Sequence, residues 1–546
     1  MKLHGKEDLE EAVRDDVTVT AHFQETVRAA APAACNGYEY VPVGLHEIDI
    51  MKLLNLDFVY IFDKPTNAAN LSKLKASLCQ LLQHYPTLAG RIKGDQIELN
   101  NQGVTFCVQS STNSIREMPE DPATGQPYCF IPVPGEQVKG NAPLLTVTVT
   151  QFVDGWTLGV VMNHLGADAW TFCMFMRDWS RMFNGDGIDP VVYQLPESVF
   201  QTCGSHKQAD ELANSLGWQR SQFSQQIVSK FLMKTLVPLV LKHDIRLGKR
   251  PNRLVLSYTD AQVKQIKAKA EANSKTWVST NEAVMALVWQ LMLDAAGLDS
   301  NHRAGLGSSY IVNLRNKIPG ISERLAGNVV TTTSMIVDMT KQGNFTEGSS
   351  LEDLLHSSMR ASLDPKRLQS AIQVHNFRWS NDNPWFISHE SKEVGEISFA
   401  GVAGCLVWNW QAANPYYDVN FGTGKPLRGI PWNWTQQAVT VVPSASGGLE
   451  VHIDKGSRGP VRWVAKLQQA KSHWPRIRTL MAGIAILGAI LLHVLLEVSP
   501  TIAILWCLVF GCLSFSAEAL FHLEVKAAQQ HFFDSIFANA HLSLNN

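Results

Sequence analysis

Apolar residues recur at helical spacing over residues 70–84, where Leu71, Leu74, Leu78, Leu81 and Leu82 share a face, and Tyr85-Pro86 ends the run. Residues 144–152 alternate apolar and polar side chains. Asp154-Gly155 then supplies a turn, and 157–163 form a second, almost wholly apolar run. That pattern predicts a hairpin whose second strand is buried. Ser279-Thr-Asn-Glu282 is a capping-box pattern ahead of an apolar helix over 283–293, and 253–258 reads as a strand. Residues 185–252 mix polar stretches with an apolar, helix-like piece at 231–241, the pattern of a linker between two α/β halves. No internal repeat or low-complexity tract is visible over residues 1–454.

Two longer apolar stretches stand apart at 479–496 and 501–516, separated by a turn containing Pro500. Each approaches the roughly 20 residues that cross a hydrocarbon core as a helix, so 479–520 is expected to form a transmembrane helical hairpin. A buried helical hairpin is the alternative, disfavoured because neither stretch has a polar face. Lys455, Arg458, Arg462, Lys466, Lys471, Arg476 and Arg478 precede the first stretch with no acid among them. By the positive-inside tendency this flank and the large domain before it face the cytosol, from the endoplasmic reticulum or another internal membrane. The hairpin would return the tail to the same side.

At 546 residues, 45% hydrophobic and a formal charge of −2, the chain has room for two or more domains and no basic excess that would point to nucleic acid. Its nine cysteines lie scattered from Cys35 to Cys512 without metal or redox spacing. That argues against a zinc site or a disulfide framework and for reduced, cytosol-facing thiols. Residues 1–16 are rich in Glu and Asp and lack an apolar core, unlike a signal or transit peptide.

The candidate chemistry lies where the buried strand ends, at His164-Leu-Gly-Ala-Asp168. A histidine on a loop leaving a buried strand is held firmly while its ring still reaches a substrate, the placement a general base needs. The spacing alone is weak, because His-x-x-x-Asp recurs at His4–Asp8 and His206–Asp210. Those two lack an apolar strand in front and read as solvated surface. Position alone leaves His164 open between a general base and a satisfied structural histidine.

Taken in order, the motifs over residues 40–455 resemble those of the BAHD acyltransferases, within the wider superfamily of CoA-dependent acyltransferases. Leu53-Leu-Asn-Leu-Asp57 resembles the family's opening segment, and Tyr85-Pro-Thr-Leu-Ala-Gly-Arg91 its YPLAGR turn. Asn100-Asn-Gln-Gly103 is similar to the turn that follows, and His164–Asp168 to the HxxxD motif. Residues 279–289 resemble the ST-x-E-A…W helix, Arg315 with Gly327-Asn328 the D-x-R…GN segment, and Asn420-Phe-Gly-Thr-Gly-Lys-Pro426 the DFGWGKP loop.

The resemblance implies an α/β fold of two similar chloramphenicol-acetyltransferase-like domains with a tunnel between them, here followed by the membrane hairpin. The chain then divides into a polar tail (1–39), an N-terminal acyltransferase domain (40–184), a crossover linker (185–252) and a C-terminal acyltransferase domain (253–455). A basic juxtamembrane segment (456–478), the hairpin (479–520) and a tail (521–546) follow. It implies a monomer with acyl-CoA as co-substrate, no permanently bound cofactor or metal, and a small-molecule hydroxyl or amine acceptor. The membrane hairpin favours a lipophilic one.

His164 would be the general base. In the family Asp168 points away from the tunnel and pairs with an arginine, here Arg315. Trp410 would lie beside the reacting centre, where its indole N–H could reach the oxyanion; a core tryptophan is the equal alternative. Coenzyme A would enter from the C-terminal domain, with the helix start at Ser279 and Thr280 facing phosphate, although a plain N-cap explains Ser279 as well. Asn420, Gly422 and Gly424 would preserve a structural loop, and Gly166 and Ala167 would keep the histidine turn small.

Several positions depart from the pattern: Ala169 for Gly, Asn313 and Asn420 for Asp, and Thr423 for Trp. Loss of both acids is expected to leave Arg315 with Asp168 alone. A non-catalytic accessory protein of a membrane lipid-elongation complex is the alternative function, disfavoured by retention of His164 and Asp168. A peptide-synthetase condensation domain is disfavoured because Asn163 stands where a first histidine belongs.

Overall fold

A computed structural model describes residues 19–30, 39–40, 51–52, 54–117, 134–193, 201–216, 219–220, 252–295, 305–338, 351–380, 386–387, 404–432 and 438–455. The candidate hairpin 479–520, its basic flank, the apolar piece 231–241 and His4–Asp8 lie outside these residues. Among the described residues no helix is long and apolar enough to cross a membrane.

The N-terminal half contributes strands β1 (Val19–Val27), β2 (Glu39–Tyr40), β3 (Asn55–Phe62), β4 (Arg91–Lys93), β5 (Gln96–Glu98), β6 (Val104–Ser111), β7 (Leu145–Gln151) and β8 (Trp156–Asn163). After β9 (Gln219–Arg220) the C-terminal half adds β10 (Asn252–Tyr258), β11 (Gly305–Asn313), β12 (Val330–Asp338), β13 (Phe386–Ile387), β14 (Gly404–Asn409), β15 (Arg428–Trp432), β16 (Ala438–Pro443) and β17 (Leu449–Lys455). The helices are α1 (Ala68–Leu81), α2 (Pro134–Val138), α3 (Ala169–Asn184), α4 (His206–Ser215), α5 (Asp260–Asn273), α6 (Thr280–Ala295), α7 (Leu351–Ser362) and α8 (Pro365–Ser380).

Two six-stranded sheets dominate, ordered β1-β6-β7-β8-β3-β15 and β10-β17-β16-β14-β11-β12. Four strands of each share one plan. β3 and β8 are antiparallel, as are β8 and β7, and β7 runs parallel to β6. The same order and sense recur in β10, β17, β16 and β14. A helix follows the first strand of each set, α1 after β3 and α5 after β10. The repeat is one of topology, which is why the sequence shows none.

The predicted helix at 70–84 runs Ala68–Leu81, with Asn67 as N-cap accepting from Asn70 N at 2.9 Å. Its Leu74, Leu78 and Leu81 are fully buried against β3, β7 and β8 (Phe58, Tyr60, Val147, Leu158, Val160) and against α3, whose Trp179 donates to Ser77 Oγ at 3.0 Å. The predicted hairpin is β7–β8. Of the linker, α4 docks its Ala209, Ala213 and Leu216 face on Ala371, Val374 and Phe377 of α8. His206 is exposed there, consistent with a surface reading of the second His-x-x-x-Asp.

A division at residue 252 does not hold for one element. β15 comes from the C-terminal half but pairs antiparallel with β3, placing Ile430 opposite Val59 in the first sheet. Its Gly429 is required by close approach, since a Cβ there would lie 2.2 Å from Phe58 Cε1 and 2.7 Å from Tyr416 Oη. The first sheet is thus completed by chain made more than 350 residues later.

Candidate active site

His164 leaves the end of β8, where its backbone N–H donates to Leu54 O at 2.8 Å. The ring is half-buried, and its Nδ1 is buried without a hydrogen-bond partner. Nε2 is therefore the nitrogen left to meet a substrate. Burial holds the imidazole below its ordinary pKa of 6.5, with its own backbone and Asp168 opposing that shift. Neutral imidazole, the form that accepts a proton, thus prevails at pH 7. A Cβ at Gly166 would sit 3.4 Å from Ile97 Cδ1, an ordinary contact, so sterics at this position do not demand the glycine.

Asp168 turns away to become the N-cap of α3, accepting from Thr171 N at 2.8 Å. Its Oδ2 also accepts from Val329 N at 2.8 Å and from Arg315 Nη1 at 2.7 Å, the two charged side chains being 1% and 0% exposed. Burial, the largest influence on its carboxyl, would raise the pKa, but Arg315 and the two backbone donors together hold it below the usual carboxylate value. Arg315 is satisfied at all five N–H groups. Nε donates to Leu325 O (2.8 Å), Nη1 to Asp168 and to Asn313 Oδ1 (3.0 Å), and Nη2 to Thr171 Oγ1 (3.0 Å) and Gly327 O (3.1 Å). The expectation that Asp168 alone would remain is corrected here, because the Asn313 amide oxygen still accepts.

A second buried acid on α3 repeats this motif. Asp178 receives both terminal nitrogens of Arg324, at 3.2 and 2.7 Å, and the Tyr85 hydroxyl at 2.7 Å. Sequence reading quoted Tyr85 without a role and missed Asp178 and Arg324. The available signal was a lone acid among Phe172, Phe175, Met176 and Trp179 on an apolar helix.

Asn420 does not approach Arg315. Its Oδ1 accepts from Gly422 N (3.0 Å) and Gly424 N (3.2 Å), folding the loop on itself, while its backbone bonds Ser180 and Asn184 of α3. Gly422 and Gly424 have φ of 85° and 104°, where a side chain is strained. Thr423 has a partner of its own, accepting from Trp156 Nε1 of β8 at 3.0 Å.

The other two predicted site groups fall differently. Trp410 is 3% exposed and stacked on Phe58 (centroids 5.9 Å, planes 26° apart) and edge-on to Phe172. Of its two readings, this packing fits the core tryptophan. Ser279 precedes α6, whose first residue is Thr280, and forms a complete capping box with Glu282. Ser279 Oγ accepts from Glu282 N at 3.2 Å, and the Glu282 carboxylate accepts from Ser279 N at 2.6 Å. A carboxylate is thus seated on the helix start, the arrangement of the N-cap reading of Ser279.

A histidine presented by a doubly anchored turn, at the seam of two halves of one topology, can serve acyl transfer. A family model described as Transferase family matches residues 18–454. The BAHD acyltransferase BIA1 of Arabidopsis thaliana is 20% identical over 420 residues, covering 74% of this chain and 85% of its own. Vinorine synthase superposes with a TM-score of 0.52 at 18% identity, covering 80% of this chain and 94% of that one. F. sporotrichioides TRI101, determined with coenzyme A and T-2, gives 0.54 at 14% identity over 76% and 94%. Fold and matches together define an acyltransferase of the BAHD type. The chain belongs to the Transferase family.

Proposed function

We propose that this enzyme transfers an acyl group from a coenzyme A thioester to the hydroxyl of a small lipophilic acceptor, with His164 as general base. An amine acceptor is the lesser case. The observation that carries the reading is His164 itself, neutral at pH 7, half-exposed at the end of a buried strand and fixed by the buried Asp168–Arg315 pair. As the acceptor oxygen attacks the thioester carbonyl, its proton passes to Nε2. When the C–S bond breaks, that proton goes to the departing thiolate, leaving the ester and free coenzyme A. Holding both substrates in line supplies much of the remaining gain.

The test incubates purified protein with a panel of acyl-CoA species and a total lipid extract, following free thiol release and new esters by mass spectrometry. His164→Ala is expected to lower turnover by about 100- to 10,000-fold with the fold intact. Undiminished turnover in that variant would remove the base assignment. The accessory-protein reading is not favoured, since the matched relative is itself named an acyltransferase.

The apolar stretches at 479–496 and 501–516 support anchoring to an internal membrane with the catalytic halves in the cytosol. Protease added outside sealed microsomes should then digest residues 19–455. Their protection would overturn this topology.

A further inference from the structure

The turn carrying His164 is held at its far end by Asp168, Arg315 and Val329. Its near end is held by a residue outside the His-x-x-x-Asp spacing. Asn163 is fully buried and satisfied at every backbone and side-chain group. Its N–H donates to Leu144 O (2.8 Å) and its carbonyl accepts from Gly166 N (3.1 Å). Its Nδ2 donates to Lys52 O (3.0 Å) and Gln137 Oε1 (3.2 Å), and its Oδ1 accepts from Leu165 N (3.0 Å). Gln137 is fully buried too, and its Nε2 donates to Pro143 O at 3.0 Å.

One side-chain amide therefore ties the backbone just after His164 to two segments remote in sequence, 52 and 137. We propose that Asn163, braced by Gln137, is a positioning residue that sets the direction of the His164 ring. The inference rests on the reading of His164 as base. Truncation to Ala would remove the side-chain partners of Gln137 Oε1 and Leu165 N in a buried place, so the turn would relax to recover them. The ring would drift, and a shift of about 1 Å at a reacting group costs on the order of 100-fold in rate. Serine keeps a hydroxyl near Leu165 N but offers one donor in place of two, and would fall between.

The experiment compares wild type, Asn163→Ala, Asn163→Ser and Gln137→Leu well below their melting temperatures. Its readouts are kcat, KM for both substrates, and titration of the His164 ring by NMR in histidine-labelled protein, assigned with His164→Gln. Asn163→Ala is expected to lower kcat by about 10- to 100-fold with both KM values unchanged. Asn163→Ser and Gln137→Leu should give smaller losses in the same parameter. The ring pKa should move up toward 6.5 in Asn163→Ala, because burial is what lowers it.

A lowered melting temperature with wild-type kcat and an unmoved ring titration would make Asn163 merely structural and overturn the proposal. If Asn163→Ala does not fold, the serine and Gln137 variants decide by the same criteria. If His164→Ala keeps wild-type turnover, the base reading fails, while the ring titration still reports whether Asn163 sets its environment.

Discussion

His164 combines partial exposure with a pKa held down by burial, and both consequences are measurable. Its folded pKa lies below 6.5, so the neutral base survives into mildly acid solution, and the acid limb of kcat/KM should fall below pH 6.5. A limb at or above 6.5 would contradict the buried setting. The same shift links to stability. The unfolded chain takes up this proton near pH 6.5 before the folded chain does, so the residue's contribution declines as pH drops below 6.5 toward the folded value. Arg315 is a second test. Arg315→Ala strands the buried Asp168 charge and should cost about 3–5 kcal/mol in urea unfolding. Arg315→Lys keeps the charge but not the five-pronged fork, so it should restore only part. His164 drew attention because it closes an apolar run, and the Asp168–Arg315 pair was legible through the family resemblance. Asn313 was misjudged because its sequence position shows a lost charge but not a retained acceptor oxygen.

A half-wet helix and an unbroken apolar run announced themselves, whereas a buried strand interrupted by an acid did not. α1 shows its period because one face of it is wet. β3 is buried at every position, with Asp57 inside the run, so it offers no alternation to read. β15 hides behind Pro431, a residue that argues against a strand. It is tolerated here because β15 lies at the sheet edge. The loop between β14 and β15 makes a further prediction. Thr423→Val removes the acceptor of the buried Trp156 indole N–H and should cost about 1–3 kcal/mol, whereas Thr423→Ser should cost less. Equal melting of both variants would show that the hydrogen bond contributes nothing.

Across the molecule the halves are interleaved. β15 joins β3, Arg315 reaches Asp168, Arg324 reaches Asp178, and Thr171 Oγ1 donates to Gly327 O at 2.8 Å. Residues 1–217 expressed alone would leave the β3 edge open and would strip the buried Asp168 and Asp178 of Arg315 and Arg324, so they should be insoluble or dependent on co-expressed 218–546. A soluble 1–217 fragment with cooperative melting would refute this. The shared topology of the sheets was legible only through family resemblance, since strand order and sense can persist after side-chain similarity is gone. The borrowed strand also imposes an itinerary on biosynthesis. A ribosome delivers β3 early and β15 near the end of the catalytic region, so the nascent chain carries a raw sheet margin through most of translation. That margin can close only once residue 432 has left the exit tunnel.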